Sequence, residues 1–368
     1  MRRALASLCV AALLAGCGGG GGEAGSGTGG GGTGGTPPPT ITRGEAATFL
    51  RQASFGPTRA EIDRVVAGGY AAWIDQQLAR PASLQAPALR ALGRAPTQDD
   101  RLDLWFRHAV QGEDQLRLRV AFALSQIMVV SERSALNQFP TALATYYDIL
   151  NQNAFGNFRE LLEQVTLSPA MGVYLSHLGN QKPNPALNSR PDENYAREVM
   201  QLFTIGLVEL APDGSIRRDA QGQPIPTYDQ AVIESFARVF TGWMFAGSAS
   251  FLQPSFNFDE PMQPFQNFHD TDAKTLLRGT TLPANQGARA DLEAALDNLF
   301  AHPNVGPFIS KQLIQRLTSS NPSPAYVARV AARFDDNGRG VRGDLAAVVR
   351  AILLDDEARR PPASAAGK

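Results

Sequence analysis

The chain has 368 residues and only two cysteines, Cys9 and Cys17. It has four histidines, His108, His177, His269 and His302, and no basic excess: 34 Lys+Arg stand against 35 Asp+Glu. Each shortage excludes something. Two cysteines cannot build a disulfide framework or a thiolate metal site. Four scattered histidines supply no H-E-x-x-H zinc motif. Without a basic field or a charged run, nucleic acid is not a partner. No G-x-S-x-G elbow, S-x-x-K motif or phosphate-binding P-loop occurs. Apolar runs are short too. The one at Ala4–Ala15 is broken only by Ser7 and falls well below the ~20 residues that cross a bilayer.

That short run is informative by position. It follows Arg2 and Arg3 and ends at Leu14-Ala15-Gly16-Cys17. A basic start, a brief apolar segment and small residues before a cut describe a secretory signal. Ordinary cleavage needs no cysteine after the cut. A thiol that is to carry diacylglycerol does. The segment resembles the bacterial lipobox, so residues 1–16 are expected to be removed and Cys17 to be lipidated. Cys9 would leave with the signal, making Cys17 the single cysteine of the mature chain. One acyl chain anchors only marginally, whereas two or three hold a protein essentially permanently. Gly18 follows the cysteine, with no Asp there as an inner-membrane retention signal. Resemblance to known lipoproteins then implies the outer membrane of a two-membrane cell.

Residues 18–35 contain 13 glycines in 18 positions, and Pro37-Pro38-Pro39 closes the stretch. Such a segment buries too little apolar surface to fold. It reads as a tether of about 25 Å for roughly 23 residues. Residues 41–358 are expected to be a single multi-helical, mainly α domain, with 359–368 as a disordered tail. Apolar residues recur at helical spacing over 59–66, 70–80, 98–111, 114–131, 141–153, 156–166, 192–206, 228–240, 289–300, 305–318, 324–335 and 344–355. Thr58 and Glu61 are spaced as a capping box. Turn signals at Pro212-Asp213-Gly214 and Gln221-Gly222-Gln223-Pro224 predict a small β-hairpin insertion within 208–228. Residues 244–285, rich in Phe, Pro, Asn and Gly, predict a long irregular loop, and loops of that length are often functional. Asp335–Gly340 mimics the start of a calcium loop. Position twelve would be Ala346, where calcium needs a carboxylate, so the segment reads as an acidic turn.

Two constellations carry polar chemistry. In Arg190–Glu198, Pro191 suits a first helical turn, and Asp192 and Glu193 complement the helix dipole. Asn194, Glu198 and Gln201 fall at i, i+4 and i+7 with Arg197 alongside. This is either a solvated, capped face or a polar seam toward a cleft, in which Arg197 pairs a buried carboxylate. The second is His269-Asp270 with Asp272 and Lys274. It suits proton transfer or hard-cation binding, or else a hydrogen-bond cluster that fixes the loop. Glu193, Glu198, His269 and Asp270 are the candidate catalytic groups. Asn194, Arg197, Gln201, Trp243 and Lys274 are the candidate binding groups. These residues leave the cofactor unknown.

These residues also carry a family resemblance. Arg51-Gln52-Ala53-Ser54-Phe55-Gly56-Pro57-Thr58, Asn153–Phe158, Ser168–Gly172, Pro191–Glu198, Leu202–Gly206, Tyr228-Asp229-Gln230, Thr241-Gly242-Trp243 and His269-Asp270 with Lys274 occur in order. Together they resemble the bacterial family called domain of unknown function 1800, over nearly all of residues 45–357. Arg278-Gly279 departs from it by what looks like a one-residue insertion. The resemblance implies export but no reaction and no catalytic residues. It also implies a partner, because genes of such proteins often adjoin those of another exported family, domain of unknown function 1501. The expectation is a membrane-tethered envelope lipoprotein that binds a partner as an accessory component. The alternative is a hydrolase of envelope or extracellular polymers with a Glu/His/Asp site.

Overall fold

The first helix starts on a reciprocal cap. Thr42 Oγ1 accepts from the Glu45 amide, and the Glu45 carboxylate accepts from the Thr42 amide at 2.8 Å. This opens α1 (Arg43–Ala53), which the apolar periodicity did not reveal. The computed structural model describes residues 41–360, so the expected signal segment, Cys17, the expected glycine tether and residues 361–368 lie outside the described residues.

In α2 (Arg59–Leu78), Gly69 leaves the helical backbone at φ +86°, ψ 164°, so two helical stretches meet there at a kink, as expected. Thr58 Oγ1 accepts from the Glu61 amide, but the Glu61 carboxylate turns away to the Trp73 indole N–H at 2.5 Å. The predicted capping box is therefore half made. Helices α3 (Gln85–Arg90), α4 (Gln98–Gln111), α5 (Gln115–Ser125), α6 (Pro140–Gln152), α7 (Phe158–Leu167) and α8 (Pro169–Tyr174) follow. The expected 114–131 helix stops at Ser125, where the amides of Gln126 and Ile127 turn onto the carbonyls of Ala123 and Leu124. The expected 192–206 helix is shorter as well: α9 covers Asn194–Gln201. Ile205 and Gly206 both donate to the Met200 carbonyl, with Gly206 at φ +73° closing the end. Then come α10 (Gln230–Val239), α11 (Ala288–Phe300), α12 (Val305–Leu317), α13 (Pro324–Asp335), α14 (Leu345–Leu354) and α15 (Asp356–Arg359). Arg359 lies over the rings of Phe49 and Tyr70, so the folded domain reaches past 358.

The fold is mainly α, as expected, with small β elements. The 208–228 arm is there, paired through Val208–Pro226, Leu210–Ile216 and Arg218–Pro224. The region expected to be a wholly irregular loop holds two two-stranded antiparallel ribbons. In one, β1 (Trp243–Met244) pairs with β2 (Gln263–Pro264). In the other, β3 (Lys274–Thr275) pairs with β4 (Thr281–Leu282). Between β3 and β4, Arg278 takes a left-handed backbone (φ +58°) directly before Gly279 (φ +74°), at the site of the apparent insertion. Asp336 accepts the amides of Gly338 and Gly340, making the acidic turn between α13 and α14.

One core joins these elements. Phe49, Trp73, Leu124, Tyr146, Phe158, Tyr195, Phe236, Leu296, Ile314, Tyr326 and Ile352 are all buried in it. At about 1.5–3 kcal/mol for each large apolar side chain, this burial is the dominant stabilising term. No helix among the described residues is long and apolar enough to cross a membrane.

Candidate functional site

Residues 241–243 and 268–270 run so close that only glycine fits at 242. Its φ is +82°, and a Cβ there would stand 2.8 Å from the His269 backbone nitrogen. That approach delivers His269 and Asp270 into the interior between α10 and α11.

His269 is fully buried. Its Nδ1 lies 3.0 Å from the Thr241 carbonyl oxygen and 3.3 Å from the Thr241 hydroxyl. Its Nε2 faces Asp291 Oδ2 at 3.1 Å. Lys274 Nζ, also buried, donates to the same oxygen at 2.7 Å, and to the carbonyls of Asp270 (2.6 Å) and Asp272 (3.0 Å). Asp270 is gripped from the other side by Arg238, through Nε–Oδ2 and Nη2–Oδ1 bonds of 2.9 Å each. Burial opposes the ionisation of both carboxyls. For Asp291 the hydrogen bonds from His269 and Lys274 outweigh it, and for Asp270 the Arg238 fork does, so both sit below the usual carboxylate range. Two carboxylates therefore meet Lys274 and Arg238 in a balanced interior network, the condition under which buried charge is tolerated. Asp291 Oδ1 is buried and has no hydrogen-bond partner among the described residues.

Asp291 and Arg238 were not singled out in the sequence. Asp291 stands on the buried stripe of α11 with Ala288, Leu292 and Ala295, and a carboxylate on an apolar stripe is a readable sign of a buried pair. Arg238 gave no comparable sign. It sits in the last turn of α10, where a cation ordinarily complements the helix dipole.

The other constellation lies along α9. Arg197 pairs with Glu193 at 2.6 Å and with Gln230 Oε1 at 2.9 Å, on the surface between α9 and α10. It does not pair Glu198. Glu198 is half-buried, its Oε2 has no partner among the described residues, and burial pushes its carboxyl up. Asn194 is exposed, and Gln201 is half-buried. Trp243 is buried, and its indole N–H has no partner among the described residues. Among the described residues, no group of three or more His, Cys, Asp or Glu is placed to hold a metal ion.

Asn180 ties the two constellations together. Its side chain exchanges two hydrogen bonds with the Asp192 backbone, while its carbonyl accepts from Gly242 and the nearby Lys182 amide donates to Phe268. Beside this strap a cleft of about 230 Å³ is lined by Pro183, Arg190, Pro191, Glu193, Glu234, Ala237 and Arg238. Arg238 thus borders the cleft while its Nε and Nη2 hold Asp270 inside, and its Nη1 takes no part in those bonds. Of the predicted site residues, Glu193 lines the cleft, and Asp270 stands behind it through Arg238. Glu198, Asn194, Arg197, Gln201, Trp243, His269 and Lys274 do not line it.

A family model described as "Protein of unknown function (DUF1800)" matches residues 48–368. The chain belongs to the DUF1800 family. No curated protein and no solved structure matches it. For this DUF1800 protein, chemical roles therefore rest on the site itself.

Proposed function

We propose that this DUF1800 protein is an exported lipoprotein, attached through Cys17, that serves the cell envelope as a partner-binding accessory component rather than through chemistry at His269. The observation that carries the reading is the inward commitment of the His269–Lys274 group. A general acid or base must come within hydrogen-bond reach of its substrate. His269, Asp270 and Lys274 are each at most 4% exposed and bonded to one another's surroundings. Their work is to hold the 241–243 and 268–275 segments against α10 and α11.

What faces outward is the cleft, with Arg190 and Arg238 near Glu193 and Glu234. Charges of both signs on one small cleft suit the recognition of a polar segment, where complementarity sets specificity. The lipobox-like segment and the glycine-rich stretch ahead of the domain support a role beside membrane-bound or neighbouring envelope proteins. An exported protein of the domain of unknown function 1501 family is the partner the family resemblance implies.

The experiment is affinity capture of the tagged full chain from detergent-solubilised membranes. The reading expects one partner at near-equal amount. Repeated recovery with no specific partner would overturn it. Glu198 favours the hydrolase as a second reading, because its raised carboxyl with an unpartnered oxygen resembles a general acid. A Glu198→Gln variant that retains full polymer-hydrolysing activity, or a wild-type protein with none, would remove it.

A further inference from the structure

A second concavity lies on another face, among residues with no part in the cleft. It is a groove of about 590 Å³ between α4, the segment after α5, and α6, with Arg101, Trp105, Phe122, Val129, Glu132 and Tyr147 on its walls. Arg101 and Trp105 are one helical turn apart on α4, which turns both onto the same face.

Of the aromatic residues here, Tyr147 packs against the main core, and Phe55, Trp105, Phe106 and Phe122 stand beside it. Trp105 meets Phe55 and Phe122 at ring centroids 5.6 Å apart and Phe106 at 4.9 Å. Phe55, Trp105 and Phe122 are half-buried, packing on one another beside the main core rather than within it. Around them Phe106 is 59% exposed and Val129 38%.

Two polar tips are unspent. Among the described residues nothing accepts from the Trp105 indole N–H, and nothing bonds to the Tyr147 hydroxyl, although both side chains line the groove. Such groups ordinarily find partners when covered. The charge of the groove is closed internally: Arg101, itself buried, is paired with Glu132 and also donates to Gln98 Oε1 at 2.7 Å.

We infer that this groove is a binding site for a neutral saccharide chain, with Trp105 as its stacking platform. A sugar ring has an apolar C–H face that covers an aromatic plane, and a rim of hydroxyls that both donate and accept. Trp105 supplies the plane and a donor, Tyr147 a second ring and a hydroxyl, and Glu132 an acceptor. The internal Arg101–Glu132 pair leaves no net field to select a charged ligand, which favours a neutral polyhydroxyl one. The site stands apart from the partner-binding reading and does not depend on it.

The test uses a spectroscopic feature of this chain. It has three tryptophans, of which Trp73 and Trp243 are at most 2% exposed. A ligand-induced change in tryptophan emission therefore reports Trp105. The full chain in nanodiscs, free of sugar-headed detergent, is titrated with chitohexaose and with cellohexaose. At least one should give a saturable blue shift. Tyr147→Phe, which removes only the hydroxyl, should raise the half-saturation concentration about tenfold without changing the unfolding midpoint. Trp105→Phe should abolish the shift while calorimetry still detects weakened binding of the same saccharide. No shift with either saccharide overturns the inference, as does an unchanged half-saturation in Tyr147→Phe. A concentration-dependent shift without saccharide, accompanied by dimerisation in light scattering, also overturns it and identifies the groove as a contact between copies.

Discussion

Replacing Lys274 with Met removes the cation that bonds Asp291 Oδ2 and the carbonyls of Asp270 and Asp272. The shape changes little, because Met is nearly as long and is unbranched. What changes is the charge balance: two buried carboxylates remain, facing Arg238 and the His269 ring alone. Breaking a buried pair by removing one partner costs about 3–5 kcal/mol. Unfolding entropy of about 2.1 cal/mol/K per residue, over roughly 320 folded residues, comes to about 0.7 kcal/mol/K. A loss of about 4 kcal/mol then lowers the melting temperature by about 6 °C. Calorimetry and urea unfolding of the Cys17→Ser protein measure the two quantities. Adding Asp291→Leu to Lys274→Met should restore part of the loss, since an apolar replacement of a whole buried pair is often neutral. A single variant within about 0.5 kcal/mol of the parent would refute the claim that this network holds the loop, since that is the range of ordinary surface changes.

Other consequences follow from the same packing. Gly242→Ala should destabilise by about 2–4 kcal/mol in urea unfolding, from the positive φ and the approach to His269 together. His177 is buried neutral, stacked 4.0 Å from Tyr195, and burial pulls its pKa down to about 4. Between pH 6.5 and 4 the unfolded chain binds a proton there that the folded one does not. Stability should therefore fall with falling pH by about 1.4 kcal/mol per unit from this group, and His177→Gln should flatten that slope. Asp270 and Asp291, with lowered pKa values, add a second loss that begins only as pH drops below about 3.8, the ordinary value for Asp. Cys17→Ser should move the protein from the membrane pellet to the soluble fraction, measured by immunoblot; retention in the pellet would contradict the lipid anchor.

The elements legible in the sequence are those whose residues speak for themselves over ten or more positions. Helices α7, α10, α13 and α14 carry clear apolar stripes and lie where expected. Helix α3 is six residues long, too short for periodicity, and its first amides are capped from far away by Asp148 on α6. The β1–β2 and β3–β4 ribbons pair two residues each, and no propensity signal exists at that length. The site shows the same division. His269, Asp270 and Lys274 were recognisable as a local cluster. Their partners Asp291 and Arg238 come from two other helices, and that juxtaposition is tertiary. The seam on α9 was visible as spacing, but whether Arg197 met Glu198 or Glu193 depended on where α10 places Gln230.

The most direct measurement is quantitative co-purification of the full chain with the proposed envelope partner, comparing wild type with Arg190→Glu and with Arg339→Glu, an exposed change remote in sequence from the cleft. The account predicts a partner recovered at near-equal amount with wild type and Arg339→Glu, and at least about tenfold less with Arg190→Glu, the loss expected when a like charge is set into a complementary site. Equal recovery with all three proteins, or no specific partner with any, would contradict it.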